Sequence, residues 1–231
     1  MTNQKLTIDL KRVKQPEDFI NKQHTITQQL YDSANTNRLK FWDDQAAKLH
    51  WQKKWNETLI WEKPYAKWFV NGSLNAAENC LDIHLETHKN KTAIIWEGES
   101  GNIQTYTYLE LSNKVNQLAN AFENKLSITK GDRVTIYMPL VPEAVIAMLA
   151  CSRIGAIHSV VFGGFSAPSL AERLNDSKSK CIITANDANR RGKKVPLRSI
   201  VEDAINKSDV DQLHVITLNK SNPSNNDYDF N

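Results

Sequence analysis

Cysteine is scarce. The 231 residues hold three, Cys80, Cys151 and Cys181, far apart and odd in number. Stability therefore cannot rest on a disulfide framework, and no CxxC pair or Cys/His group offers a zinc site. Neither sign of charge dominates, with 29 basic against 26 acidic residues and a net charge of +3. No bulk cationic field invites nucleic acid or an anionic membrane, so any phosphate binding must come from local placement. The longest apolar run, residues 144–151, is too short to cross a bilayer. Residues 1–10 lack the basic-then-apolar pattern of a secretory signal. With Cys151 and Cys181 in apolar segments, a reducing, cytoplasmic setting is expected. The motifs GxxxxGK[ST], GxGxxG and GxSxG are all missing, and no Ser/Thr/Gly-rich phosphate cradle with a lysine occurs. Glycine is sparse as well, at eight, which gives weight to any adjacent pair.

Hydrophobic content of 40% and charged content of 24% suit a globular protein with a real core. Residues 1–16 are polar and end at Pro16, and read as a flexible lead-in. Residues 17–88 read as a helical leader, with Phe19, Ile26, Leu30, Leu39, Trp42 and Leu49 as spaced apolar positions. Five of the six tryptophans, Trp42, Trp51, Trp55, Trp61 and Trp68, fall there. They predict a layer packed on a larger body, because indoles contribute much buried area. A stacking surface for nucleic acid is the weaker alternative, since acids dilute the interleaved lysines. A helix over 76–88 would set His84 and His88 four apart, but the glutamate does not follow the first histidine as HExxH requires. No metal site is expected.

Residues 89–218 read as an incomplete α/β subdomain. A hairpin is predicted over 92–97 and 103–106, followed by a capping box of Thr107 and Glu110. The buried stripe of the next helix is Leu111, Val115, Leu118, Ala119 and Phe122. Strand 133–138 then leads to a helix opened by Pro142 and stopped by Gly155. The β-branched strand 156–162 suggests a strand covered on both faces. Ser166 opens another helix, 181–185 is a strand, 196–207 a helix and 213–218 the last strand. Residues 219–231, polar and rich in asparagine, read as a loop or tail. The fold class is α/β, an open and mostly parallel sheet flanked by helices, preceded by a helical Trp-rich leader.

Two loops after strands carry the chemistry. Gly163-Gly164 is either a tight turn or a place where a ligand lies against bare backbone. Ser166 would aim a helix amino end nearby, which favours anions. Arg190-Arg191-Gly192-Lys193-Lys194 is either a solvated basic run or a phosphate grip. Arginine can stack on an adenine ring while pairing with phosphate, and lysine adds a point charge. In open α/β sheets such loops gather at the carboxyl ends of the strands, where ligands bind.

Three stretches resemble the acetyl-CoA synthetases, the AMP-forming acetate–CoA ligases of the adenylate-forming superfamily. They are WFVNGSLN at 68–75, GDRV through YMP to PE at 131–143, and IGAIHSVVFGGFS at 154–166. The resemblance runs from about residue 41 to 218. It implies activation of acetate by Mg-ATP to acetyl-adenylate, then acetyl transfer to the thiol of CoA. It also implies that Phe162, Gly163 and Gly164 border the pantetheine channel. Arg190, Arg191, Gly192 and Lys193 would hold the 3′-phosphate end of CoA. Lys193 departs from the family's usual arginine, which keeps the charge and loses the two-pronged fork. The resemblance covers about the first third of such an enzyme, so no catalytic residue is expected here and the isolated chain is expected to be inactive. Self-association through uncovered apolar surface is a further expectation. A non-catalytic module binding CoA or a partner protein, and a ligase for propionate or acetoacetate, stay open.

Overall fold

The computed structural model describes residues 27–219 and the short strand 228–230. The lead-in at 1–16, the positions Phe19 and Ile26, and residues 220–227 lie outside the described residues. The chain opens with two helices, α1 (Gln28–Thr36) and α2 (Arg38–Ala46). A hairpin follows, β1 (Glu57–Glu62) and β2 (Tyr65–Val70). This corrects the expectation of helix throughout the leader. Thr58, Ile60, Trp61, Trp68, Phe69 and Val70 fit a pleated surface, and Pro64 fits a turn but not a helix interior. The predicted helix over 76–88 is likewise broken into α3 (Ala76–Cys80), a 3-10 turn (Asp82–His84) and α4 (Leu85–His88).

The Trp-rich segment packs on itself. Rings of Trp51, Trp55 and Phe69 meet at 4.7–5.7 Å between centroids. The Trp55 indole N–H donates to Asp43 at 2.7 Å, and that of Trp51 to the Ala46 carbonyl at 2.8 Å. The Trp55 and Thr58 hydrogen bonds hold the Asp43 carboxyl below its ordinary range. Asn75 caps α3, and its amide also donates to the Arg153 carbonyl. Arg153 makes a bidentate pair with Asp82 at 2.8 and 2.9 Å, so the leader is fastened to the body.

The body begins with the predicted hairpin, β3 (Thr92–Glu97) and β4 (Ile103–Thr107). Helix α5 (Tyr108–Leu126) starts at the Thr107–Glu110 capping box, both halves of which are formed. Then come β5 (Arg133–Tyr137), α6 (Pro142–Ile154), β6 (Ile157–Val160), α7 (Ala167–Ser177) and β7 (Cys181–Ala185). A small hairpin, β8 (Ala188–Arg190) and β9 (Lys193–Val195), precedes α8 (Leu197–Asn206) and β10 (His214–Leu218). Pro142 and Gly155 bound α6 as expected, the glycine at φ +75° where a side chain would be strained.

The main sheet has strand order β11–β10–β7–β5–β6. Four strands are parallel, and β11 (Tyr228–Phe230) joins β10 antiparallel. At 228–230 this strand corrects the reading of 219–231 as a loop or tail. The connection β5–α6–β6 runs one way along the sheet, whereas β6–α7–β7 and β7–α8–β10 run the other way. Right-handed crossovers then put α6 on one face and α7 and α8 on the other. Helix α5 packs on α6, and α7 on α8.

Between these layers Val115, Phe122, Ile146, Ile136, Leu170, Ile182, Leu197 and Ile216 are fully buried. Cys151 and Cys181 are buried too, and burial pushes the Cys151 thiol up to about 12 and raises that of Cys181 as well. Strand β6 departs from expectation. It is an edge strand with Ile157 and Val160 more than half exposed, not covered on both faces. An apolar composition cannot specify which neighbours a strand will have.

Candidate functional site

In order of appearance the parallel strands β5, β6, β7 and β10 lie as 2-1-3-4, so the winding reverses at β5, between β5 and β7. Ligands of doubly wound sheets bind outside the carboxyl ends of the strands at such a reversal. The loop after β6 and the hairpin after β7 both stand at that end. The buried Tyr137 closes β5, and its hydroxyl donates to the Phe165 carbonyl at 2.8 Å and approaches that of Gly163 at 3.4 Å. Burial raises the Tyr137 hydroxyl above its ordinary pKa, which keeps it a donor. Tyr137 thereby draws the loop after β6 over the end of β5.

Neither glycine of this loop has a positive φ. Gly163 lies beside Leu197 and the Met138 carbonyl, and a Cβ there would come no closer than 3.4 Å, an ordinary contact. Gly164 is different. A Cβ there would stand 2.6 Å from the Phe162 ring and 2.7 Å from the Arg190 guanidinium. The space left at Gly164 is what Arg190 and the Phe162 ring occupy, and a side chain there would push those two side-chain ends aside. The guanidinium carbon lies 5.1 Å from the Phe162 ring centroid, in cation–π range. Phe162 meets Phe165 at 6.1 Å, and Arg173 lies 4.4 Å from the Phe165 ring. Phe162 is 59% exposed, so ring surface remains open to solvent.

The basic segment is the β8–β9 hairpin with a two-residue turn, Arg191-Gly192. Both turn residues have positive φ, +51° and +71°, the pattern of tight hairpin turns. Arg190 pairs directly with Lys193, so their side chains share one face of the ribbon, the face toward Phe162 and Gly164. Like charges placed opposite each other destabilise a ribbon unless an anion joins them. Lys194 pairs with Asn189 on the opposite face, and its ammonium reaches Asp187 at 3.4 Å. Phe162, Gly164 and Arg190 thus come together, Lys193 is the cross-strand partner of Arg190, and Gly163 lies against Met138 and Leu197. Arg191 and Gly192 form the turn, and their amides point to Glu99 at 3.0 and 3.5 Å.

Ser166 stands at the start of α7, but its side chain makes no capping hydrogen bond. His84 and His88 have ring centroids 6.2 Å apart, and among the described residues no group of three or more His, Cys, Asp or Glu could hold a metal ion. The roles of Tyr137 and Glu99 carry no signal in the sequence. Glu99 is 92 residues from the turn it contacts.

The sequence pattern of the AMP-binding enzyme family matches residues 81–229. The chain belongs to that family. Residues 27–80 match the acetyl-coenzyme A synthetase N-terminus. The acetyl-coenzyme A synthetase of Chlorobaculum tepidum is 47% identical over 195 residues, covering 82% of this chain and 29% of that protein. That of Deinococcus radiodurans is 53% identical over 165 residues, 71% of this chain and 25% of that protein. Among solved structures, the acetoacetyl-CoA synthetase from Streptomyces lividans has a TM-score of 0.71 at 24% identity, over 84% of this chain and 32% of that one. It shares the fold. The chain spans roughly a quarter to a third of the length of these relatives. No helix among the described residues is long and apolar enough to cross a membrane.

Proposed function

We propose that this chain is the amino-terminal portion of an AMP-forming acetate–CoA ligase and holds part of its CoA site. In the whole enzyme an acetate oxygen would attack the α-phosphorus of Mg-ATP, releasing pyrophosphate. The CoA thiolate would then attack the acetyl carbonyl carbon, releasing AMP. Acetate is favoured as the substrate because the relatives of 47% and 53% identity are acetyl-coenzyme A synthetases. The reaction uses soluble substrates, and a cytosolic setting suits the free cysteines.

One observation carries the CoA assignment. The Arg190 guanidinium fills the space that a side chain at Gly164 would take, stacked over a ring that is itself largely exposed. Arg190 and Lys193 on one ribbon face offer two cations to a phosphate monoester, and Phe162 offers a surface to a planar base. Lysine at 193 attracts the phosphate as a point charge without the geometric selectivity of arginine. The 231-residue chain is expected to bind CoA without making acetyl-CoA.

Calorimetric titration of CoA and dephospho-CoA into the chain tests this reading. CoA should bind about tenfold more tightly, the scale of one charge-assisted contact. Arg190→Ala should remove most of that preference. Equal affinity of a folded sample for the two compounds would remove the assignment.

A further inference from the structure

The β8–β9 ribbon stands apart from the five-stranded sheet and has only three paired positions. An isolated two-stranded ribbon of that size is marginal in water. Its two nearest cations, Arg190 and Lys193, also repel each other across the pair. Something else must hold it in one place, and the structure supplies a strut from a distant part of the chain. The loop joining β3 to β4 is closed by its own hydrogen bonds, from Gly98 to the Asn102 carbonyl and from Gly101 to the Gly98 carbonyl. The Trp96 indole donates to the Leu140 carbonyl at 2.7 Å, which fastens that hairpin beside the carboxyl end of β5. From this fixed loop the Glu99 carboxylate accepts the amides of Arg191 and Gly192 at 3.0 and 3.5 Å. Two successive left-handed residues aim their N–H groups at one point, a concavity suited to an anion, and Glu99 is that anion.

We propose that Glu99 is a positioning residue for the phosphate end of the coenzyme. It touches no ligand itself. By holding the Arg191-Gly192 turn it presents Arg190 and Lys193 together beside Gly164, so that less ordering is left to be done on binding. The inference rests on the CoA reading above. Electrostatics alone predicts the opposite sign, because removing a carboxylate beside a cationic ribbon should strengthen binding of any polyanion. That opposition makes the test sharp.

Glu99→Ala removes both charge and acceptor, while Glu99→Gln removes the charge and keeps an acceptor oxygen. In Glu99→Ala the CoA over dephospho-CoA preference should fall about three- to tenfold, the scale of the lost turn contacts. Glu99→Gln should keep the preference at or above the wild-type level. Amide hydrogen exchange across 190–193 of the ligand-free chain should quicken in Glu99→Ala and return toward wild type in Glu99→Gln. An undiminished preference in Glu99→Ala, tighter binding by both variants, or unchanged exchange would overturn the inference while leaving the CoA site standing. A wild-type chain indifferent to the 3′-phosphate would remove the CoA reading, and this inference with it.

Discussion

Trp55 of the leader and Phe162 of the loop after β6 have similar chemistry and opposite surroundings. Trp55 is 7% exposed, ringed by Trp51 and Phe69, with its indole N–H given to Asp43. Every favourable surface of that side chain is used inside the protein, as for a residue whose work is stability. Phe162 is 59% exposed, and its close partners are a cation and another exposed ring. A large apolar face kept in water beside a guanidinium contributes little to folding. It makes sense where something planar and anionic is to be received. Satisfaction of the polar handle and ring faces separates Trp55 from Phe162, whereas Trp42 and Trp61 of the same leader stay 44% and 53% exposed.

Trp55→Ala should break the leader most severely. Loss of the ring and its hydrogen bond should cost about 3–5 kcal/mol, lowering Tm by roughly 10 °C in a thermal melt. Phe162→Ala should leave Tm within about 1 °C of wild type, yet weaken CoA binding about tenfold in calorimetry, the scale of one stacked base. If the two variants melted alike, the distinction between the regions would collapse. A finer cut lies within the glycine pair. Gly164→Ala should displace Arg190 from Phe162 and cost a few-fold in CoA affinity, whereas Gly163→Ala, with an ordinary 3.4 Å contact, should change it little. Lys193→Arg should tighten CoA about threefold by adding a second prong to the phosphate contact, without moving the melt. Equal or weaker binding would count against Lys193 facing the phosphate.

The smallest effect is a pH dependence far from both regions. Burial raises the Asp132 carboxyl, but hydrogen bonds from Lys180 and Thr129 outweigh it and leave the pKa below the ordinary value of 3.8. A depressed folded-state pKa contributes stability that is present above the unfolded pKa. It is lost as pH falls through the folded one. Denaturation midpoints should therefore drop below about pH 4, and Asp132→Asn should flatten that part of the profile. A variant with the wild-type slope would show that other carboxylates dominate.

Elements with local causes were legible in the residues. The Thr107–Glu110 box and the stripe from Leu111 to Phe122 fix α5 through contacts three and four residues apart. Pro142 and Gly155 bound α6 because one has no amide to lose and the other tolerates a left-handed backbone. The leader hairpin is hard to tell from a helix in the sequence because Trp61 and Trp68, seven apart, also fit a helical stripe, and Pro64 between them is the signal for a turn. The exposure of β6 and the addition of β11 were not legible, since both depend on which strand stands next to which. At the site, the paired glycines and the basic run are unusual residues after strands, while Phe162 is marked only by the family resemblance. That Gly164 serves space and not φ, and that Glu99 meets the turn, could be seen only with the chain folded.

The sequence by itself determined the α/β succession, because helix caps and apolar periodicity are properties of neighbouring positions, and three resembling stretches gave the family. Tertiary structure alone decided that Arg190 and Lys193 share a ribbon face over Phe162, and that Glu99 holds their turn. Those arrangements depend on strand order and crossover direction, which bring together residues 92 and 93 positions apart and leave no periodic trace along the chain.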